Sequence, residues 1–569
     1  MQPSTKKIII AKSIITMDPR QPRASAVAVN GDTIVAVGTL ADCQSALPDA
    51  SIHDISPAVL LPGFIETHGH PLFAGMATMA PAGYIAPWVA PKWNDVVAIF
   101  KKHMAESDLP LVFFGFDQLL HGVDEPTAET LDAIFGDRMV AVINNSGHGA
   151  YVTTAVLKKL DWIEHPPADP IGAKFIRRPD GSLNGQAHEL PAVIAMTAPV
   201  LGSLGTNPLL QAAQYYAYMA RHGITSTTEM TYGNDYQKAY EALANLPNCP
   251  LRLTVYHMST DKGCANHIVF NAPENMLNKQ GVKLWADGSP WIGNIAVSFP
   301  YLDTPVVRQA GIKPGARGEQ QMNYSRAELD RVIDENAPNG WQMAFHVNGD
   351  IGFDIVLDAY EAALKKHNLL GTDHRWRVEH IGGAQEKQLK RAGELGVVTS
   401  MGPFQFYYWG DLLDGQLFST EIGAYWQRFK TAFDAGTYPS FHNDGSVSPP
   451  DPLLNIQTAI TRQTSSGTVR GKAEAITLDQ ALAAQTTYAA YTIFRDKQIG
   501  SICAGKWADF VELSQDPYET APEKLATNIE ILGTWLGGKR IDLDKFINEA
   551  TALDHTDHAH LRNKRKPCC

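Results

Sequence analysis

Cysteine is scarce, with six in 569 residues, and apart from the terminal pair Cys568-Cys569 they are scattered (Cys43, Cys249, Cys264, Cys503). No CxxC-type spacing suggests a zinc finger, and nothing resembles a disulfide framework. A reducing compartment fits better, so a cytoplasmic location is expected. Positive charge is also in short supply. Lys and Arg number 48 against 60 Asp and Glu, a formal net charge of -12, which argues against a nucleic-acid partner. Long apolar runs are missing: none reaches the roughly eighteen residues of a membrane span. The N-terminal Ile8-Ile9-Ile10-Ala11, flanked by Lys7 and Lys12, is too short for a signal peptide and reads as a strand. The basic tail Arg562-Asn-Lys-Arg-Lys-Pro-Cys-Cys569 ends in two cysteines. Its cysteines do not stand four from the end as prenylation requires, so it reads as a solvated tail.

What is present is enough for more than one core. A 569-residue chain with 44% hydrophobic and 19% charged residues fits a large globular domain plus a smaller one. Residues 7–17, 24–29 and 33–38 read as strands, with Asn30-Gly31 as a hairpin signal. Residues 508–513 and 529–536, followed by Gly537-Gly538, carry the same signature near the other end. One β-sandwich built from residues 1–58 and 491–548 is therefore expected, with 549–569 as a tail.

Between these ends, eight short apolar runs recur, at 60–70, 223–230, 251–257, 282–287, 342–346, 375–380, 397–401 and 438–444. Helical patterns at 209–221, 351–366 and 386–395 lie among them. The alternation predicts a (β/α)8 TIM barrel over 59–490. Residues 76–205 interrupt it and are too long for a βα connection. They hold strand-like 111–116 and 139–143 and helix-like 150–160, and read as an inserted α+β subdomain at the barrel mouth, able to roof a pocket.

Ionisable residues sit at the ends of these runs. Leu61-Pro-Gly-Phe-Ile-Glu-Thr-His-Gly-His70 places His68 and His70 two apart, on one face of a strand. Lys283 lies in Gly281-Val-Lys-Leu-Trp-Ala-Asp-Gly288, His346 in Phe345-His-Val-Asn-Gly-Asp350, His380 in Val378-Glu-His-Ile381 and Asp444 in Phe441-His-Asn-Asp-Gly445. C-terminal strand ends of such a barrel converge on one cavity. Neutral imidazoles with a carboxylate suit a divalent cation such as Zn2+. A buried lysine shifts its pKa and, once neutral, can take up carbon dioxide as a bridging carbamate. A carboxylate beside an activated water can pass a proton from nucleophile to leaving group. Each residue also has a structural reading: core histidines for His346 and His380, a snorkelling or paired Lys283, and a turn cap for Asp444.

These motifs resemble the amidohydrolase superfamily, and more closely its branch that includes N-substituted formamide deformylase. Ser146-Gly-His-Gly-Ala150 looks like that branch's own element, and Gly500-Ser-Ile-Cys-Ala-Gly-Lys-Trp-Ala-Asp509 like the family's late signature. The resemblance implies His68 and His70 on one metal, His346 and His380 on a second, and carboxylated Lys283 as the bridge. Asp444 binds the first metal and is the general base and acid, with His380 beside it in the catalytic set. One or two metals per chain are expected, and family habit extends to a homodimer.

The chain departs from the branch after Asp287-Gly-Ser289. Where relatives carry an arginine it has Pro290-Trp-Ile-Gly-Asn294, which makes Trp291 a pocket wall. Pro403-Phe-Gln-Phe-Tyr-Tyr-Trp409 adds Phe404 and Tyr407 as further wall residues, or as a plug under a loop. His148 reads either as a donor to an oxyanion or as part of the insert's structure. Glu379 and His442 flank the ligands and can orient them. The expected activity is metal-dependent hydrolysis of a carbon–nitrogen bond other than a peptide bond. The expected substrate is an apolar or aromatic linear amide, an N-substituted formamide or N-acyl amine. A cyclic amide, ester or carbamate, or a non-catalytic barrel that binds small molecules, are the alternatives.

Overall fold

A computed structural model describes residues 6–170, 173–204 and 207–553; the basic tail and the Cys568-Cys569 pair lie outside the described residues. Eight parallel strands form the expected barrel: β1 (Phe64–Glu66), β2 (Ile224–Tyr232), β3 (Arg252–Met258), β4 (Leu277–Trp285), β5 (Gln342–Val347), β6 (Arg377–His380), β7 (Val398–Met401) and β8 (Ser440–Phe441). Each pairs with the next in chain order, from β1 through to β8. The strands are buried almost throughout, as a parallel sheet covered on both faces requires. Side chains close the ring between β8 and β1. Thr67 Oγ1 donates to the Phe441 carbonyl at 3.1 Å, and the Asn443 amide donates to the Glu66 carboxylate at 2.9 Å.

The run 60–70 is not one strand, as its continuous apolar pattern predicts, but two. Val59–Pro62 pairs antiparallel with Phe510–Leu513 in the terminal sheet, and only Phe64–Glu66 enters the barrel. Gly63 is the corner. A Cβ there would stand 2.1 Å from Thr225 Oγ1, so the corner needs a residue with no side chain to fit against Thr225.

The terminal sheet joins both chain ends. From one edge to the other its strands are Lys539–Arg540, Ile531–Leu536, Phe510–Leu513, Val59–Pro62, Lys6–Ile15, Arg23–Asn30 and Thr33–Gly38. A bridge from Thr33 to Trp507 brings its far edge back, rolling the sheet around Ile9, Ile14, Val27, Leu60 and Phe510. Gly31 turns the first hairpin with φ +64°.

The insert builds its own six-stranded sheet, with Gly149–Val152, Val140–Asn144 and Leu111–Phe116 side by side at its centre. The helix expected over 150–160 is corrected here: Gly149–Val152 is a strand and helix begins only at Thr154–Lys159. Backbone pairing on both sides, to Val140–Asn144 and to Leu183–His188, outweighs the helical preference of Ala150.

Candidate metal centre

Four histidines converge at the C-terminal ends of β1, β5 and β6, and each has one ring nitrogen held by the protein. His68 donates from Nδ1 to Glu379 Oε2 at 2.7 Å. His70 Nδ1 lies 3.2 Å from Thr231 Oγ1, which in turn donates to Glu229. His346 donates from Nε2 to the Gly288 carbonyl at 2.9 Å. His380 Nδ1 pairs with His442 Nε2 at 3.0 Å, and His442 is fixed by Ser400 Oγ at 2.8 Å. Locking one nitrogen of an imidazole is how protein metal sites fix the tautomer and aim the other nitrogen.

The free nitrogens of the first two turn to one carboxylate. His70 Nε2 is 3.2 Å and His68 Nε2 3.6 Å from Asp444 Oδ1, and one donor atom from each of the three lies within 4.8 Å of the others. Lys283 Nζ stands 3.3 Å from His68 Nε2. His380 Nε2 is buried with no hydrogen-bond partner, a state that costs free energy unless a ligand fills it. The donor set and this orphan nitrogen fit a divalent cation.

The electrostatics agree. Burial, then the neighbouring Lys283 and histidines, push His68 well below its ordinary pKa; burial and the adjacent rings do the same to His346 and His380. All three are therefore neutral, as metal ligands must be. Burial brings Lys283 down to about 8, within reach of the neutral amine. Burial opposes charge on His70 too, yet Asp444 and Glu229 lift it to about 8. Two carboxylates thus hold positive charge at that spot, whether carried by a proton or by a metal. Backbone strain clusters here as well: His380, Ile381 and Asp444 take φ of +69°, +46° and +52°, left-handed positions that such residues occupy when the site over-determines them.

A narrow cavity opens above these residues. His148, His346, His380 and Asp444 line its polar side, and Trp291, Phe404 and Val447 its apolar side. Lys283 and His68 are fully buried below it. The structure does not bring Tyr407 to this wall; its ring packs on Tyr408 at 5.0 Å. The insert roofs the cavity: Gln118 Nε2 donates to the Trp291 carbonyl at 3.0 Å, Trp409 Nε1 to Asp117 at 3.0 Å, and Asn145 Nδ2 to the Val447 carbonyl at 2.8 Å. Two contributors, Glu229 behind His70 and Glu189, whose Oε2 accepts from His148 Nδ1 at 2.7 Å, are absent from the residues picked out by sequence. Glu229 lies within the run already read as a strand, near its C-terminal end, where a carboxylate could have been noticed. Glu189 sits between insert elements with no periodic signal around it.

Fold and site together define a (β/α)8 barrel of the kind seen in metal-dependent hydrolases. One such structure, an uncharacterized metal-dependent hydrolase from Pyrococcus horikoshii, matches with a TM-score of 0.69 at 21% identity, covering 91% of this chain and 99% of that one. The sequence profile of the amidohydrolase family matches residues 53–542, and the chain belongs to that family. Among its relatives, N-substituted formamide deformylase of Arthrobacter pascens is 25% identical over 555 residues, covering 93% of this chain and 97% of that protein. Protein LONG AFTER FAR-RED 3 of Arabidopsis thaliana is 24% identical over 548 residues, covering 93% and 90%.

Proposed function

We propose that this protein hydrolyses the carbon–nitrogen bond of a linear amide, an N-substituted formamide or an N-acyl amine, with an apolar or aromatic substituent. The observation that carries the reading is the arrangement of four imidazoles, each with one nitrogen held by the protein, with the free nitrogens of His68 and His70 at Asp444, that of His380 buried without a partner, and Lys283 beside His68. His68, His70 and Asp444 would hold one cation; His346 and His380 would hold a second, with Lys283 between them as a carbamate. Imidazole and carboxylate donors favour Zn2+. Bound there, the metal supplies Lewis acidity, making hydroxide available at neutral pH and polarising a carbonyl.

The chain's own residues handle the protons. Burial alone would raise the Asp444 carboxyl, but His70 and the charges around it hold it below the ordinary range, so it enters the reaction ionised. It takes the proton of the attacking water and returns it to the departing amine nitrogen. His148 uses Nδ1 for Glu189, leaving Nε2 as its edge toward the cavity, where it donates to the developing oxyanion. Trp291, Phe404 and Val447 receive the apolar part of the substrate and exclude water from it.

The test is metal analysis of the purified chain followed by a panel of N-aryl and N-alkyl formamides and acetamides, with and without a chelator. Metal-dependent release of amine is expected. A folded protein holding less than one metal per chain, or a metal-loaded one inert to the whole panel, overturns the reading.

A further inference from the structure

We infer that Glu189 is the positioning residue for His148, so that the insert is part of the reaction machinery as well as its roof. This rests on the amide-hydrolase reading above. Glu189 occupies φ +69°, ψ 150°, a backbone region that belongs almost wholly to glycine. It stands at the N-cap of the helix Leu190–Ser203, yet its side chain makes no capping bond. An N-cap side chain ordinarily satisfies the helix's first amides; this one is sent elsewhere.

It goes to His148 and to the barrel. The Glu189 amide donates to the His148 carbonyl at 2.8 Å, while its Oε2 accepts from His148 Nδ1 at 2.7 Å. Backbone and side chain of one residue therefore grip backbone and side chain of the other. Oε1 accepts from Asn294 Nδ2 at 2.9 Å, across the seam between the insert and the loop after β4. That approach needs Gly288, where a Cβ would stand 2.6 Å from Oε1. The His148 ring, so held, lies 5.2 Å from that of His346 on the cavity wall. Docking of the insert alone does not call for this arrangement, because the bonds from Gln118, Asp117 and Asn145 already fasten it. The strained backbone and the redirected carboxylate have one shared consequence, a fixed plane for the His148 ring.

The experiment compares metal-loaded wild type, Glu189→Gln, Glu189→Asp, His148→Asn and the Glu189→Gln/His148→Asn double variant on the best amide of the panel. Glu189→Gln should lower kcat on the order of 10²-fold, the scale of a lost oxyanion donor, with KM and metal content little changed. The double variant should lose no more than His148→Asn alone, since one residue acts through the other. Losses that add in full, or a kcat unchanged by Glu189→Gln, overturn the inference. If Glu189→Gln does not fold, Glu189→Asp enters the same cycle, with a smaller kcat loss expected. A metal-loaded wild type inert to every amide sinks the parent reading instead. The pairing is then decided by NMR of 15N-histidine-labelled protein: a downfield Nδ1 proton lost in both His148→Asn and the Glu189 variant supports it, and no such resonance overturns it.

Discussion

Glu379 and His68 meet at 2.7 Å on the barrel floor, and the same carboxylate is gripped by Arg377, whose Nη2 lies 2.7 Å from Glu379 Oε2 and also donates to the Thr67 carbonyl at 2.7 Å. One buried cation thus fixes both the carboxylate behind His68 and the backbone before it. Glu379→Gln keeps the shape and removes the charge that orients the imidazole. Loss of such a partner costs about 10- to 100-fold in metal affinity. Competition titration against a chromogenic chelator should show that loss with the fold intact. Unaltered affinity would mean Glu379 only neutralises Arg377.

Lys283 carries the second prediction. Its amine is wholly buried, close to His68, and burial brings its pKa to about 8. Lys283→Ala should lose metal and turnover together, and a short carboxylic acid such as propionate should restore part of both by filling the place of the carbamate proposed there. A variant that keeps its metal and its rate would refute the bridging role.

The barrel strands, and the meeting of His68, His70, His346, His380, Lys283 and Asp444 at one rim, were legible because parallel strands are buried on both faces and end together. Apolar runs therefore mark the strands, and polar residues at their ends mark the site. The late signature was legible for a reason the sequence alone does not state. Asp509 makes a two-pronged pair with Arg252 at the start of β3, at 2.7 and 2.9 Å, and its carbonyl accepts from Gly63. It ties the terminal sheet to the barrel. What stayed hidden depends on contacts remote in sequence. The break at Gly63 is set by Thr225, and the strand Gly149–Val152 by a partner as distant as His188, which pairs with Gly149. The Glu189–His148 clamp is set by a backbone that no propensity favours. Tyr407 shows the converse. A run of aromatics reads as one wall, but Phe404 and Tyr407 stand a turn apart along one side of the helix Pro403–Leu413, and only Phe404, in its first turn, lines the cavity, while Tyr407 packs on Tyr408.

Lys279 gives a prediction in pH. Its ammonium donates to the carbonyls of Cys264 and Asn266 and lies 3.9 Å from the Trp341 ring centroid, yet burial lowers its pKa to about 8. The unfolded chain keeps the ordinary value of about 10.4, so between these two limits the unfolded state binds more protons. Stability from this residue is lowest below pH 8 and rises as pH climbs toward 10. Denaturant melts of wild type and Lys279→Met should diverge in favour of wild type by on the order of 1–2 kcal/mol across that window, a figure discounted for partial solvent screening. A constant difference from pH 7 to 10 would refute the assignment.

Trp291 tests what the cavity accepts. Its ring stacks on Trp409 at 4.4 Å and 13°, its carbonyl is held by Gln118, and it lines the apolar wall. Trp409 is in turn fixed to Asp117 of the insert, so Trp291 presents a rigid surface, cheap in entropy to bind against. An aromatic pair contributes about 0.5–1.5 kcal/mol beyond the area it buries, up to roughly tenfold in binding. Trp291→Leu keeps an apolar wall and removes the stacking partner. It should therefore lower kcat/KM for N-aryl amides by up to about tenfold while leaving N-alkyl amides of the same acyl group much less affected, with metal content unchanged. Equal losses for both series would assign Trp291 to packing the roof, and the preference for aromatic substrates would have to come from Phe404 instead.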